Sequence, residues 1–99
     1  MIYRNESLIK ACREQICFLR LPGCTGQPTA AAHSNLLRHG RGHAHKSHDC
    51  FVVPACLNCG REFDHGKLLI KEQRELIWMG AWERWMLYAW QEGIFKVEN

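Results

Sequence analysis

The sequence predicts a small α+β domain built around a metal staple, and three observations carry that prediction. The chain has 99 residues, enough for one domain but with a core small enough to need reinforcement. Two cysteine hooks, Cys17–Cys24 in CFLRLPGC and Cys56–Cys59 in a CxxC, lie on either side of His33. Two short strand-like runs are set among three helical patterns, the last of them long.

The hooks come first because they constrain the most. Pro22-Gly23 turns the backbone so that the sulfurs of Cys17 and Cys24 can face one point, and the two residues inside the CxxC let Cys56 and Cys59 reach one ion. Two such hooks in a short chain are the usual signature of a tetrahedral Zn²⁺ site with four thiolates. Disulfides or a redox CxxC are the alternatives. A redox CxxC needs a βαβ setting, for which this chain has neither length nor pattern. The N-terminus has no apolar signal-like core, so six cysteines fit a reducing, cytoplasmic setting and metal binding better than disulfides. Cys12 and Cys50 remain outside the site, on a helix and in a strand respectively, as buried free thiols.

Charge says less by amount than by position. The net charge of +3 is too mild to establish a nucleic-acid partner. From Ser34 to His48, however, the chain carries Arg38, Arg41, Lys46 and four histidines with no acidic residue. These cations would neutralise phosphates rather than read bases, and His39, His43 and His45 could join them when protonated. A solvated loop or an adventitious metal-binding run explains the same composition. No apolar run approaches a membrane span.

Asn5 and Ser7 precede Leu8, Ala11 and Cys12 at helical spacing, so a short helix is expected before the first hook. Thr29 to His33 and Phe51 to Val53 are read as paired strands, with Pro54 ending the second because it cannot donate to a ladder. Ser34 to Asp49 is a long loop without regular structure. Leu57 to Asp64 forms a short helix that the second hook begins. Lys71 to Gln91 is the longest helix, with an apolar stripe of Trp78, Trp82, Trp85, Met86 and Ala89. Gly80 within it suggests close packing or a slight bend, Gly93 a stop, and Trp90 a position at the edge of the stripe. A row of tryptophans can form a base-stacking platform, but at this spacing it reads better as core.

The segments CFLRLPGC, AAHSN, RHGRG, HDCFVVPAC and CxxC…FD occur in an order that resembles the small phage- and prophage-encoded HNH-like nucleases, the YbcO-like family. They are more distantly similar to the recombination-associated phage nuclease Ref. The resemblance covers roughly residues 8–67 and implies a ββα-metal (HNH) core, with the helix over about residues 71–92 packed on it in a single domain. It implies a metal-dependent endonuclease acting on DNA in phage DNA processing or recombination within a bacterial cell. His33 matches the family's general base, and an imidazole with an ordinary pKa of about 6.5 supplies the neutral form at physiological pH. His48 and Asp49 match the middle position, and Asp49 joins His33 in the implied catalytic set.

At the family's second hook the pattern is CxxC-H, with a further ligand one helical turn later. Here the first position is Gly60 and the second Asp64, so the chain departs from the family at one ligand. His65 and His48 are the candidates to complete a cation site with Asp64. Oxygen and imidazole ligands with open positions suit Mg²⁺ or Mn²⁺. The rival readings are a zinc-stabilised DNA-binding or partner-binding module whose centre has decayed, and a redox or metal-storage protein.

Overall fold

The computed structural model describes residues 3–42 and 45–95. In chain order it holds α1 (Glu6–Cys12), β1 (Thr29–His33), a single 3₁₀ turn (Leu37–His39), β2 (Val52–Cys56), α2 (Leu57–His65) and α3 (Lys71–Gln91). It is a small α+β arrangement of one two-stranded antiparallel sheet with three α-helices around it.

Of the two polar residues that precede the helical spacing, Asn5 is the cap and Ser7 lies inside the helix: the Asn5 side chain accepts the Leu8 N–H at 3.1 Å, which satisfies one of the helix's orphan donors. Leu8 and Cys12, one turn apart, are its buried face. β1 pairs with β2 from Thr29↔Cys56 to His33↔Val52. Every residue of β2 is buried, and because successive side chains point to opposite faces, Val53 and Val52 enter different halves of the core. Val53 packs with Leu19, Leu21, Phe63 and Trp78; Val52 packs with Leu8, Cys12, Trp85 and Ala89.

Pro54 does not end the strand. It sits mid-strand opposite Ala31, and its carbonyl accepts the Phe18 N–H at 2.8 Å. In an antiparallel pair alternate residues turn both backbone groups away from the partner, so Pro54 occupies a slot where the missing N–H removes no ladder bond. The strand also begins later than expected. Cys50 is a half-buried turn residue and Phe51 lies just before β2. The loop from Ser34 to Asp49 is less open than its composition suggests, with the 3₁₀ turn in it and Ser34, His39, Ser47 and Asp49 buried.

In α3, Trp78, Ala81, Trp85 and Ala89 are the buried stripe, while Trp82 and Met86 flank it half-buried. The Trp82 indole donates to the Cys50 carbonyl at 2.7 Å, tying the helix to the turn before β2. Gly93, at φ +72°, turns the backbone out of the helix just past its end, and Trp90 is 56% exposed. Gly80 neither breaks α3 nor serves close packing. A Cβ there would meet only the end of the Arg84 side chain at 3.5 Å, an ordinary contact. Gly80→Ala is therefore expected to stabilise by up to about 1 kcal/mol, raising the thermal midpoint by roughly 4–8 °C per kcal/mol; a lowered midpoint in a calorimetric scan would refute this.

Candidate functional site

The two hooks meet. The Sγ atoms of Cys17, Cys24, Cys56 and Cys59 all lie within 4.8 Å of one another, and Cys24 and Cys56 are 3.9 Å apart. Four sulfurs about 2.3 Å from a tetrahedral ion are separated by roughly 3.8 Å, whereas a disulfide needs about 2.05 Å. All six cysteines are free. Left-handed backbone at Arg20, Gly23 and Gly26 folds the first hook back on itself, with Cys17 N–H donating to the Gly26 carbonyl at 2.8 Å. The second hook is formed by the start of α2, where the Cys56 sulfur itself caps the helix.

Backbone donors surround the sulfurs. Leu21 N–H points at Cys59 Sγ (3.3 Å), and Thr25 and Cys59 N–H at Cys56 Sγ (3.5 Å each). Burial opposes ionisation of Cys56, but the Thr25 hydroxyl and these N–H groups outweigh it and bring its thiol down to about 5. Cys59 moves the other way, pushed up by burial and by its cysteine neighbours, and burial raises Cys24 as well. A dication among the four sulfurs would favour the thiolate forms that burial opposes at Cys24 and Cys59. The donor set fits a metal ion such as zinc. Cys12, pushed up to about 12 by burial alone, belongs to the core.

The second assembly is centred on His33, the last residue of β1. Its Nε2 lies 2.9 Å from Asp49 Oδ1, with side chains only 13% and 7% exposed. Asp49 is in turn fixed by the N-terminal segment. Arg4 Nη1 lies 3.3 Å from Oδ1, and the Asn5 N–H donates to Oδ2 at 2.7 Å. Arg4 also donates to the Ser47 and Lys46 carbonyls, so the strap holds the loop as well as the carboxylate. Burial would raise the Asp49 carboxyl, yet hydrogen bonds from His33 and Asn5 and the charges of His33 and Arg4 outweigh it and hold it below its ordinary value.

A depressed carboxylate stabilises the fold above the unfolded-state pKa, and that contribution is lost as pH falls through the folded-state pKa. Asp49→Ala is therefore expected to cost about 1.5–3 kcal/mol at neutral pH. The gap to wild type should narrow from the ordinary carboxylate range downward and close as the solution falls through the lower folded-state value. Urea melts of both proteins from neutral pH to below the ordinary carboxylate range check it; a gap that persists unchanged in acid contradicts it.

His33, Asn35, Arg41, Asp64 and His65 line one open cleft of about 440 Å³. Asp64 and His65 share it because α2 ends at His65, with Gly66 already extended. Asn35 donates to Asp64 Oδ1 at 3.3 Å. Arg41 is the loop cation that lines the cleft, whereas Arg38 and Lys46 do not. His48 is turned elsewhere, its Nδ1 accepting the Tyr3 N–H at 2.9 Å. Among the described residues, the four cysteines are the group of metal-ligating side chains gathered about one point; Asp64, His65 and His48 are not gathered in that way.

His39 is not a phosphate contact. It is 5% exposed, its ring stacks on Phe51 at 3.9 Å, and its Nδ1 lies 2.6 Å from Ser34 Oγ. Burial, then the charge of Arg38, lowers its pKa, so it favours the neutral form. His43 lies outside the described residues, and His45 is exposed. The sequence reading missed Arg4, the Asn5 amide and Asn35. Asn35 stands inside the AAHSN segment, so proximity to His33 was a usable signal. Arg4 gave none, since its partner is 45 residues away.

Among the described residues no helix is long and apolar enough to cross a membrane. Compared with protein families, curated proteins and solved structures, the chain gives no match in any of the three.

Proposed function

We propose that this chain is a metal-dependent endonuclease of the ββα-metal (HNH) type, hydrolysing DNA phosphodiester bonds, with zinc held by its four cysteines. The observation that carries this reading is His33, paired with Asp49, lining a cleft shared with Asp64, His65 and Arg41. Two antiparallel strands leading into a helix, with the histidine at the end of the first strand, support it.

The chemistry follows from the pairing. Asp49 stays a carboxylate and accepts, so Nε2 of His33 carries the proton and Nδ1 keeps the lone pair, a tautomer assigned from the hydrogen-bond network. A water at Nδ1 can then lose its proton to His33 as its oxygen attacks phosphorus and the P–O bond to the leaving oxygen breaks, and Asp49 stabilises the imidazolium that forms. Arg41 faces the cleft with charge to bind a phosphate. Asp64, aided by His65, would hold Mg²⁺ or Mn²⁺, which supplies charge stabilisation at the phosphate and the leaving oxygen. Phage DNA processing or recombination in a bacterial host is the setting that the sequence resemblance proposes.

Nicking of supercoiled plasmid with and without Mg²⁺ or Mn²⁺ tests the reading. Cation-dependent nicking is expected. DNA retardation with no nicking would replace it by the second reading, a zinc-stabilised binding module with a decayed centre, which Gly60 favours. Gly60 lies one turn before Asp64, and a Cβ built there meets nothing within 4 Å. Gly60→His is therefore expected to fit and to tighten the catalytic cation, lowering the Mn²⁺ concentration for half-maximal nicking by roughly tenfold or more, the scale of a lost supporting ligand. An unchanged Mn²⁺ dependence would mean that the position takes no part.

A further inference from the structure

We propose that the pocket beside the His33 cleft is a nucleobase subsite that receives one unpaired base of the DNA strand whose phosphate lies at His33. This rests on the endonuclease reading above. The pocket measures about 210 Å³ and has Leu36, Phe63 and Trp78 as its apolar wall, with Asn35, Lys71 and Arg74 among its polar lining. Asn35 and Asp64 line both this pocket and the cleft. Whatever fills one is therefore next to whatever fills the other.

Its size and chemistry narrow the occupant. Sites for drug-sized ligands run to about 300–1,000 Å³, so this pocket suits a single ring system rather than a whole nucleotide. The Phe63 and Trp78 rings, 6.2 Å apart and 23° from parallel, are buried in the core and form its rigid floor, while half-buried Leu36 is the more accessible apolar wall. Arg74 is fixed beside it, with Nη1 donating to the Glu62, Phe63 and Gly66 carbonyls at 3.2–3.3 Å. Lys71, nearly one helical turn earlier, adds a second cation. Asp64 and Glu75 line the pocket as well and balance the two cations, so the slot is apolar with both donors and acceptors at its rim. That matches a base, whose ring is flat and apolar and whose edge both donates and accepts hydrogen bonds. A base stacked within a duplex cannot enter a recess of this kind, so the substrate must present it unpaired, in a single strand or flipped out. The specificity that follows is for DNA structure, with duplex regions disfavoured unless a base can leave the stack.

The test measures binding by the intact, zinc-loaded chain, with Ca²⁺ replacing Mg²⁺ to withhold cleavage. The probes are a short fluorescent single-stranded oligodeoxynucleotide and a strand of equal length made wholly of abasic residues. Burial of one base, on the scale usual for a single nucleobase contact, predicts that the abasic strand binds roughly 5- to 150-fold more weakly. Glu75→Trp, which places an indole at the pocket's lining, should weaken the base-bearing strand towards the abasic value and leave the abasic strand unchanged. Equal affinity of the two strands for wild type overturns the subsite. So does a Glu75→Trp protein that still prefers bases by the full wild-type ratio, or that loses both strands equally. Nicking measured in parallel separates the two readings. Base preference sensitive to Glu75→Trp, without nicking, leaves the subsite standing and removes the enzyme; nicking without base preference does the reverse.

Discussion

Replacing Cys56 by serine is expected to unfold the domain rather than weaken it. Cys56 serves three structural roles at once. It supplies a sulfur to the four-cysteine cluster, caps α2 through its sulfur, and ends β2 opposite Thr29. Structural Zn²⁺ contributes apparent binding free energies of about 10–16 kcal/mol in small zinc domains, while a whole domain is stable by about 5–15 kcal/mol. Losing a ligand therefore removes a quantity comparable to the total. Circular dichroism and zinc stoichiometry check this together: wild type should hold one zinc per chain and melt cooperatively, and Cys56→Ser should hold much less and show no cooperative transition. Cys12→Ala is the control, since Cys12 lies in the core beside Leu8 and Val52 and outside the cluster. It should lose stability but keep its zinc. A Cys56→Ser protein with an unchanged midpoint would show that the hooks do not hold the fold. One zinc per chain, unaffected by reductant, would also exclude a redox or metal-storage role.

His33→Ala is expected to abolish nicking while leaving zinc content and DNA retardation intact. Removing a general base ordinarily costs about 10²–10⁴ in rate, and here it also removes the group that Asp49 orients. His33 is 13% exposed at a strand end, so the substitution empties space at the cleft wall rather than in the centre of the core. Asp49→Asn separates orientation from base chemistry. The amide can offer its own N–H to Nε2, reversing the tautomer, so that Nδ1 holds the proton and no longer accepts one. Nicking should then fall nearly as far as in His33→Ala, although His33 is still present. Full activity in His33→Ala would end the proposed mechanism, and comparable loss of DNA binding would move His33 from chemistry to binding.

Local spacing was enough to read the two hooks, the short helix that follows Asn5, the strand ending in His33 and, of the buried stripe of α3, Trp78, Trp85 and Ala89 but not Ala81. Each depends on residues within a few positions of one another: a turn at Pro22-Gly23, two residues inside a CxxC, a cap three residues before Leu8, a periodicity of about 3.6. A sequence displays such relations directly. The reading of Pro54 failed because a missing N–H matters only on the side facing the neighbouring strand, and that side is set by register. The reading of His39 failed because a cationic loop composition does not reveal that one of its rings lies against Phe51.

What the sequence alone determined, then, was the set of four cysteines that could hold a metal ion and the order of strands and helices. The resemblance already grouped Asp49 with His33; only the tertiary structure decided how the two meet, which loop cation turns to the cleft, and which histidines are withdrawn from it. Asp49 reaches His33 across 16 residues and Arg4 reaches Asp49 across 45. Contacts of that range follow from how β1, the loop and the N-terminal segment pack, and no local propensity encodes them. The same packing sends Arg41 to the cleft, folds His39 into the core and ties His48 to Tyr3.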